Sequence, residues 1–144
     1  MKKEQIGQWV RVDQLRRRSL DKEKVKSMIE SSTTNMAVVK TIPLAEQSAI
    51  LIFRETYESI RQLGDARWWL LGFEPRNHEV SMESLKEMDI KEKVQLNYLS
   101  RFKTIRNDAN YRGFKVTVAQ AKEILEFWKT CSQEIISILL KELK

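Results

Sequence analysis

The apolar residues near the carboxy terminus of the chain are spaced so that an α-helix gathers them on one face. They recur at steps of three and four residues from Val118 to Leu139, which is about six helical turns. The seam consists of Val118, Ala121, Ile124, Leu125, Trp128, Cys131, Ile135, Ile138 and Leu139. Thr117 precedes it, and Gln120 stands where it completes a capping box. This segment predicts a long bundle helix.

A broader apolar stripe runs from Leu44 to about Leu71 and predicts a central helix. Its members are Ile50, Phe53, Tyr57, Ile60, Gly64, Trp68 and Leu71, widened by Ala45, Ala49, Ile52 and Leu63. A stripe this wide is typical of a helix covered on more than one side, and Gly64 within it indicates a close helix–helix contact. Because neighbouring helical residues point in different directions, we expect one of Trp68 and Trp69 in the core and the other at its rim.

The rest of the chain shows helical spacing and no convincing strand alternation. Further helices are expected over about residues 21–41, 81–88 and 92–112. Asp21 is the N-cap candidate of the first, Pro43 ends it or opens the next, and Gly113 closes the last. With only four glycines and two prolines, the pattern predicts an all-α, up-and-down bundle of roughly four to five helices.

The bundle is assigned to residues 21–144, and residues 1–20 are interpreted as a basic amino-terminal extension that is helical. Residues 1–26 hold nine Lys and Arg against four Asp and Glu, so they carry five of the six net positive charges. Such a segment attracts polyanions, of which RNA is the usual one. The alternative, a solvated amino-terminal segment that binds nothing, stays open at this point.

Scarce histidine and cysteine argue against most metal and thiol chemistry. His78 and Cys131 are single residues of their types, so neither an imidazole-rich metal site nor a CxxC pair can form. No glycine-rich phosphate loop occurs, and we expect no cofactor and no metal. No apolar run approaches the roughly 18 residues that span a bilayer. These features predict a cytoplasmic protein with no membrane partner.

A polar cluster at residues 105–113 follows the apolar spacing of its helix and is the candidate site. Its binding candidates are Arg106, Asn107, Asn110, Tyr111 and Arg112. Arg106 offers a planar fork suited to phosphate, Tyr111 can donate to a phosphate oxygen or stack on a base, and Asn107 can bond across a symmetric interface. If the helix end loosens, Arg106 and Tyr111 can reach one anion. The alternative is a solvated helix end.

From about residue 20 to residue 143 the chain resembles the HEPN domains, an all-α family found in prokaryotic toxins, CRISPR-associated ribonucleases and many small archaeal proteins. The resemblance is carried by residues 48–66, 77–80 and 106–111. Arg106 matches the signature arginine of the family and Asn107 its polar neighbour. The resemblance implies a homodimer in which two motifs face one cleft. It also implies metal-independent RNase activity or, as in toxin–antitoxin pairs, a nucleotidyltransferase partner.

The chain departs from the family pattern at the two positions that matter for chemistry. Tyr111 stands where the family has its catalytic histidine, and Gly113 stands where toxin members have a tyrosine that is nucleotidylated. A tyrosine with an ordinary pKa near ~10 is a poor base at neutral pH. His78 precedes a different helix, and its spacing does not make it a substitute.

The sequence therefore predicts binding of RNA, a nucleotide or a nucleotidyltransferase partner, without full nuclease activity. One alternative is a metal-independent RNase that uses Arg106 and Tyr111 as its catalytic candidates. The other is a structural dimerisation module in which Arg106 pairs with Asp108.

Overall fold

The computed structural model describes residues 3–144, and five α-helices dominate that part of the chain. Lys2, counted above among the basic residues, lies outside it. The elements, in chain order, are α1 (Lys3–Arg11), β1 (Leu15–Arg17), α2 (Lys22–Val39), α3 (Ala49–Leu70), β2 (Phe73–Pro75), two 3₁₀ helices (Ser81–Leu85 and Lys93–Asn97), α4 (Tyr98–Tyr111) and α5 (Val118–Glu142). The predicted all-α bundle is confirmed. The central helix is α3, which packs against α2, α5 and the first 3₁₀ helix.

Local capping signals in the sequence fix the first residues of α2 and α5. The carboxylate of Asp21 accepts the backbone N–H of Lys24 at 3.0 Å. The hydroxyl of Thr117 accepts the N–H of Gln120 at 3.1 Å, and the Gln120 side chain accepts the N–H of Thr117 at 3.0 Å. Each cap satisfies backbone donors that the first turn of a helix leaves unpaired, and both predicted caps are confirmed.

Three predicted helices are shorter than their apolar patterns. The helix expected from Leu44 begins only at Ala49, because the Ser48 hydroxyl donates to the Pro43 carbonyl at 2.6 Å and accepts the Ala45 N–H at 2.9 Å. These bonds close a turn that competes with helix, so Pro43 lies in a loop. Of the helix expected over residues 81–88 only Ser81–Leu85 is helical, as 3₁₀ helix. The helix expected over residues 92–112 begins with the 3₁₀ helix Lys93–Asn97 before α4 starts at Tyr98.

A two-stranded antiparallel sheet, which the sequence does not predict, joins the amino-terminal segment to the bundle. Leu15 lies opposite Pro75 and Arg17 opposite Phe73. Each strand has three residues, which is too short for an alternating pattern to show. The sheet fixes residues 15–17 beside the end of α3.

The expectation that one of Trp68 and Trp69 lies at the rim is wrong, because the amino-terminal segment covers the end of α3. Trp68 is fully buried and Trp69 is 7% exposed. The Trp9 ring meets the Trp68 ring edge-on at 5.8 Å between centroids, and Leu15 is buried in the same cluster. The indole N–H of Trp68 donates to the Val80 carbonyl at 2.7 Å, so this small second core also holds the loop that follows β2.

Candidate functional site

The polar residues of α3 and α4 meet along one face of the bundle. On α3, Arg54 and Tyr57 are three residues apart and share a side of the helix. The Arg54 Nε donates to Asn110 Oδ1 on α4 at 3.2 Å, and the Arg106 guanidinium lies 5.5 Å from the centre of the Tyr57 ring. We call Arg54, Tyr57, Arg106, Asn107 and Asn110 the α3–α4 polar face.

Arg106 keeps its positive charge unpaired on this face. Its Nη1 donates to Asn107 Oδ1 at a long 3.4 Å, and the buried Tyr57 ring supports it through a cation–π contact. Among residues 3–144 it makes no ion pair. Asp108, the partner in the structural alternative above, instead lies 3.9 Å from Arg112. The predicted Arg106–Asp108 pairing is therefore absent from the described part of the chain.

The Arg54 guanidinium, like that of Arg106, is held by an amide oxygen and not by a carboxylate. Its side chain is exposed, its Nε is bound by the neutral amide oxygen of Asn110, and no carboxylate within residues 3–144 pairs with it. Amide oxygens orient a guanidinium without cancelling its charge, so Arg54 and Arg106 both remain able to bind an anion. By contrast, Arg101 on the outer side of α4 is bound by both carboxylate oxygens of Glu123, at 2.9 and 3.1 Å.

Tyr57 supports the site rather than titrating in it. Burial raises the pKa of its phenol to about 12, although the positive charges of Arg106 and Arg61 act in the opposite direction. At neutral pH the phenol therefore keeps its proton and cannot act as a base. Its contribution is the ring face beneath Arg106.

Arg61 continues the same side of α3, but two carboxylates neutralise it. Its Nη1 lies 2.5 Å from Asp65 Oδ2, and its Nε donates to Glu58 Oε2 at 2.9 Å. The side chains of Arg61 and Asp65 are 11% and 13% exposed, and burial raises the pKa of the Asp65 carboxyl. Because two carboxylates occupy the Arg61 guanidinium, this nearly buried network supports α3 next to the polar face and does not bind an anion.

His78 comes within electrostatic range of Arg61, Asp65, Glu58 and Arg106, although its position in the sequence gives no sign of this. The neighbouring Glu79 is fixed to α4, since Lys103 Nζ donates to its carbonyl at 3.0 Å and to its carboxylate at 2.8 Å. His78 thus lies in the electrostatic field of α3 and of Arg106. Loss of solvent around the ring and the charge of Arg61 lower its pKa below 6.5; Asp65 and Glu58 oppose this, and Arg106 adds to the lowering.

The two remaining candidates, Tyr111 and Arg112, lie apart from Arg106. Helix α4 stays regular through Tyr111, so the helix end does not loosen and the two side chains leave α4 about 140° apart. Tyr111 is 78% exposed, and within residues 3–144 its hydroxyl forms no hydrogen bond. Arg112 is exposed beside Asp108. The sequence analysis identified Arg106, Asn107 and Asn110 but missed Arg54 and Tyr57.

Ion pairs neutralise part of the basic amino-terminal segment. Arg18 Nε lies 3.1 Å from Glu74 Oε1, and Lys26 Nζ lies 3.7 Å from Glu23 Oε1. Arg16 lies 3.9 Å from Asp13, and Arg17 lies over the Phe73 ring. The segment is therefore less electropositive than its composition indicates.

Neither protein-family models, curated proteins nor solved structures match this chain. The resemblance to HEPN domains stays a prediction. Within residues 3–144, no His, Cys, Asp and Glu side chains gather in a group of three that could hold a metal ion. No helix in the same range is both long enough and apolar enough to cross a membrane.

Proposed function

We propose that the protein binds RNA through the α3–α4 polar face, with Arg54 and Arg106 contacting backbone phosphates. The observation that carries the proposal is that both guanidinium groups are oriented by neutral amides and lack a carboxylate partner within residues 3–144. A guanidinium fork matches two phosphate oxygens. The net charge of +6 favours a polyanion.

A polymer suits the arrangement better than a single nucleotide. Arg54 and Arg106 are held by different amides and are not directed at one shared acceptor, so successive phosphates of a strand can occupy both. The Tyr57 ring holds Arg106 in place before the ligand arrives, which lowers the ordering cost of binding. Homodimerisation and a nucleotidyltransferase partner rest on the HEPN resemblance alone.

Replacing both arginines tests the proposal. We expect Arg54→Gln/Arg106→Gln to weaken binding of a labelled RNA strand in fluorescence anisotropy. The slope of log affinity against log salt concentration should fall by about 1.4, since each phosphate contact on a single strand contributes about 0.7. The matched control is Arg101→Gln, which removes an arginine already bound by Glu123 and should change little.

The opposite result would assign RNA to a different surface. If the double variant keeps both the affinity and the salt slope, while Arg17→Gln/Lys22→Gln loses them, the basic amino-terminal segment binds the RNA. Deleting residues 1–20 is a poor substitute for that second variant, because Trp9 and Leu15 cover Trp68. The deletion would expose part of the core as well as remove charge.

A second candidate function is metal-independent RNA cleavage, for which His78, whose pKa the charge of Arg106 helps to lower, is a better base than the fully protonated Tyr57 or the distant Tyr111. In such a step the imidazole takes the proton of a ribose 2′-hydroxyl. The 2′-oxygen then attacks the phosphorus and displaces the 5′-oxygen, which takes a proton from water, while Arg106 stabilises the added negative charge. The lowered pKa of His78 keeps the imidazole neutral, and so able to accept a proton, at pH 7.

Cleavage is tested with RNA in EDTA. We expect slow formation of 2′,3′-cyclic phosphate ends, with activity lost in His78→Gln and in Arg106→Gln but retained in Tyr111→Phe. Loss in Tyr111→Phe with retention in His78→Gln would restore the tyrosine mechanism. RNA that stays intact with the native chain would leave binding as the function.

A further inference from the structure

Two large aromatic rings project into solvent at the turn between α4 and α5. Tyr111 is 78% exposed and Phe114 is 55% exposed, although phenylalanine and tyrosine bury large areas when a partner is present. Between and after them stand Arg112, Gly113 and Lys115. We call residues 111–115 the aromatic turn.

The aromatic turn is held in place by its backbone. The carbonyl of Asp108 accepts the N–H of Arg112 at 3.0 Å and the N–H of Phe114 at 3.3 Å. Gly113 has a φ of 69°, in the left-handed region that glycine adopts without strain. These bonds fold the chain back over the last turn of α4, so the exposed rings belong to a fixed turn.

The charges around the two rings favour a nucleic acid over a protein. Arg112 lies beside Asp108 only at 3.9 Å and its side chain is 69% exposed. Lys115 is exposed and forms no ion pair within residues 3–144. Cations that alternate with aromatic rings are typical of surfaces that bind single strands, where bases stack on the rings and phosphates meet the cations. The cores of protein interfaces, by contrast, are depleted of lysine.

Space for an unpaired base lies beside the aromatic turn. A half-open groove of about 700 Å³ is lined by Lys115, Glu46, Ile50, Val116 and Val118. Its volume is in the range of small-molecule sites. A base within a duplex is already stacked on its neighbours and cannot enter such a space or cover an exposed ring.

We propose that the aromatic turn is a stacking platform for unpaired bases of RNA. Tyr111 and Phe114 supply the ring faces, and Arg112 and Lys115 contact the adjoining phosphates. The platform rests on the proposed function and extends it, because Asn110, which binds Arg54, directly precedes Tyr111 on α4. A strand that contacts both surfaces therefore winds around the carboxy-terminal end of α4, and the protein prefers unpaired RNA to duplex RNA.

The experiment compares labelled oligouridylate with a duplex RNA of the same length, using the full chain. We expect Tyr111→Ala/Phe114→Ala to weaken binding of the oligouridylate by about 25-fold or more, since each of two stacked bases contributes roughly 5-fold to 160-fold. Duplex binding should change little. Tyr111→Phe/Phe114→Tyr keeps both rings and should retain the affinity. Val38→Ala, which trims an exposed apolar residue on α2, is the matched control.

The other possible results distinguish a failure of the stacking platform from a failure of the phosphate contacts proposed for Arg54 and Arg106. Unchanged oligouridylate binding in Tyr111→Ala/Phe114→Ala, alongside lost binding in Arg54→Gln/Arg106→Gln, would overturn the platform and leave the proposed function standing. No RNA binding by the native chain would overturn both. If the alanine variant changes the mass in light scattering but not the RNA affinity, the rings form a protein interface and the platform is wrong.

Discussion

Replacing Gly64 with alanine is expected to destabilise the fold by about 3 kcal/mol, although alanine is the better helix former by about 1 kcal/mol. A Cβ at this position would lie 2.1 Å from the Ser81 carbonyl oxygen and 2.8 Å from its carbon. Backbone this close cannot turn aside as a flexible side chain can. The Ser84 hydroxyl also ties the 3₁₀ helix to the Gly64 carbonyl at 2.8 Å, so overpacking should outweigh helix propensity.

The measurement is urea unfolding followed by circular dichroism, with Gly7→Ala as the matched control. Gly7 also lies within a helix, but among residues 3–144 its added Cβ would come near only the end of the long Arg11 side chain, at 3.6 Å. That variant should be neutral or slightly more stable. If Gly64→Ala is as stable as Gly7→Ala, the close approach of α3 to the 3₁₀ helix does not constrain the fold.

The contact at Gly64 also shows where sequence reasoning succeeds and where it stops. A glycine inside an apolar helical stripe indicates a close approach, and that expectation holds. The neighbour is a 3₁₀ helix rather than a long helix, because local spacing carries no information about which segment packs there. The same limit explains why Trp68 is buried, since two of the residues that cover it, Trp9 and Leu15, are far away in the sequence.

Some residues of the candidate site could be predicted from the sequence, and others follow only from how the helices pack. Arg106 and Asn107 stand out because a polar run interrupts an amphipathic helix, which is a local signal. Tyr57 belongs to the apolar stripe of α3, and its role beneath Arg106 follows only from how α3 and α4 cross. Glu79, the neighbour of His78, is bound to α4 by Lys103, a contact that no periodicity predicts. The sequence does contain a signal for Arg54, because its seven-residue spacing from Arg61 places both arginines on the same side of α3.

Replacing Arg61 with methionine is expected to cost about 3 kcal/mol or more of folding stability at neutral pH. The variant leaves the Asp65 carboxylate nearly buried without its positive partner, and breaking a buried ion pair from one side typically costs 3 to 5 kcal/mol. Glu58 is 42% exposed, so it can turn to water and adds little. The matched control is Arg101→Met, whose half-exposed pair with Glu123 should be worth less than about 1 kcal/mol.

The dependence on pH distinguishes a stranded carboxylate from a simple loss of packing at Arg61. Burial already raises the pKa of Asp65, and loss of Arg61 raises it further, so the folded variant holds a proton that the unfolded chain releases above about pH 4. Stability of Arg61→Met should therefore fall as pH rises above that value. Adding Asp65→Asn should remove this slope and recover part of the lost stability. A cost independent of pH, unchanged by Asp65→Asn, would mean that the aliphatic part of Arg61, and not its charge, stabilises this side of α3.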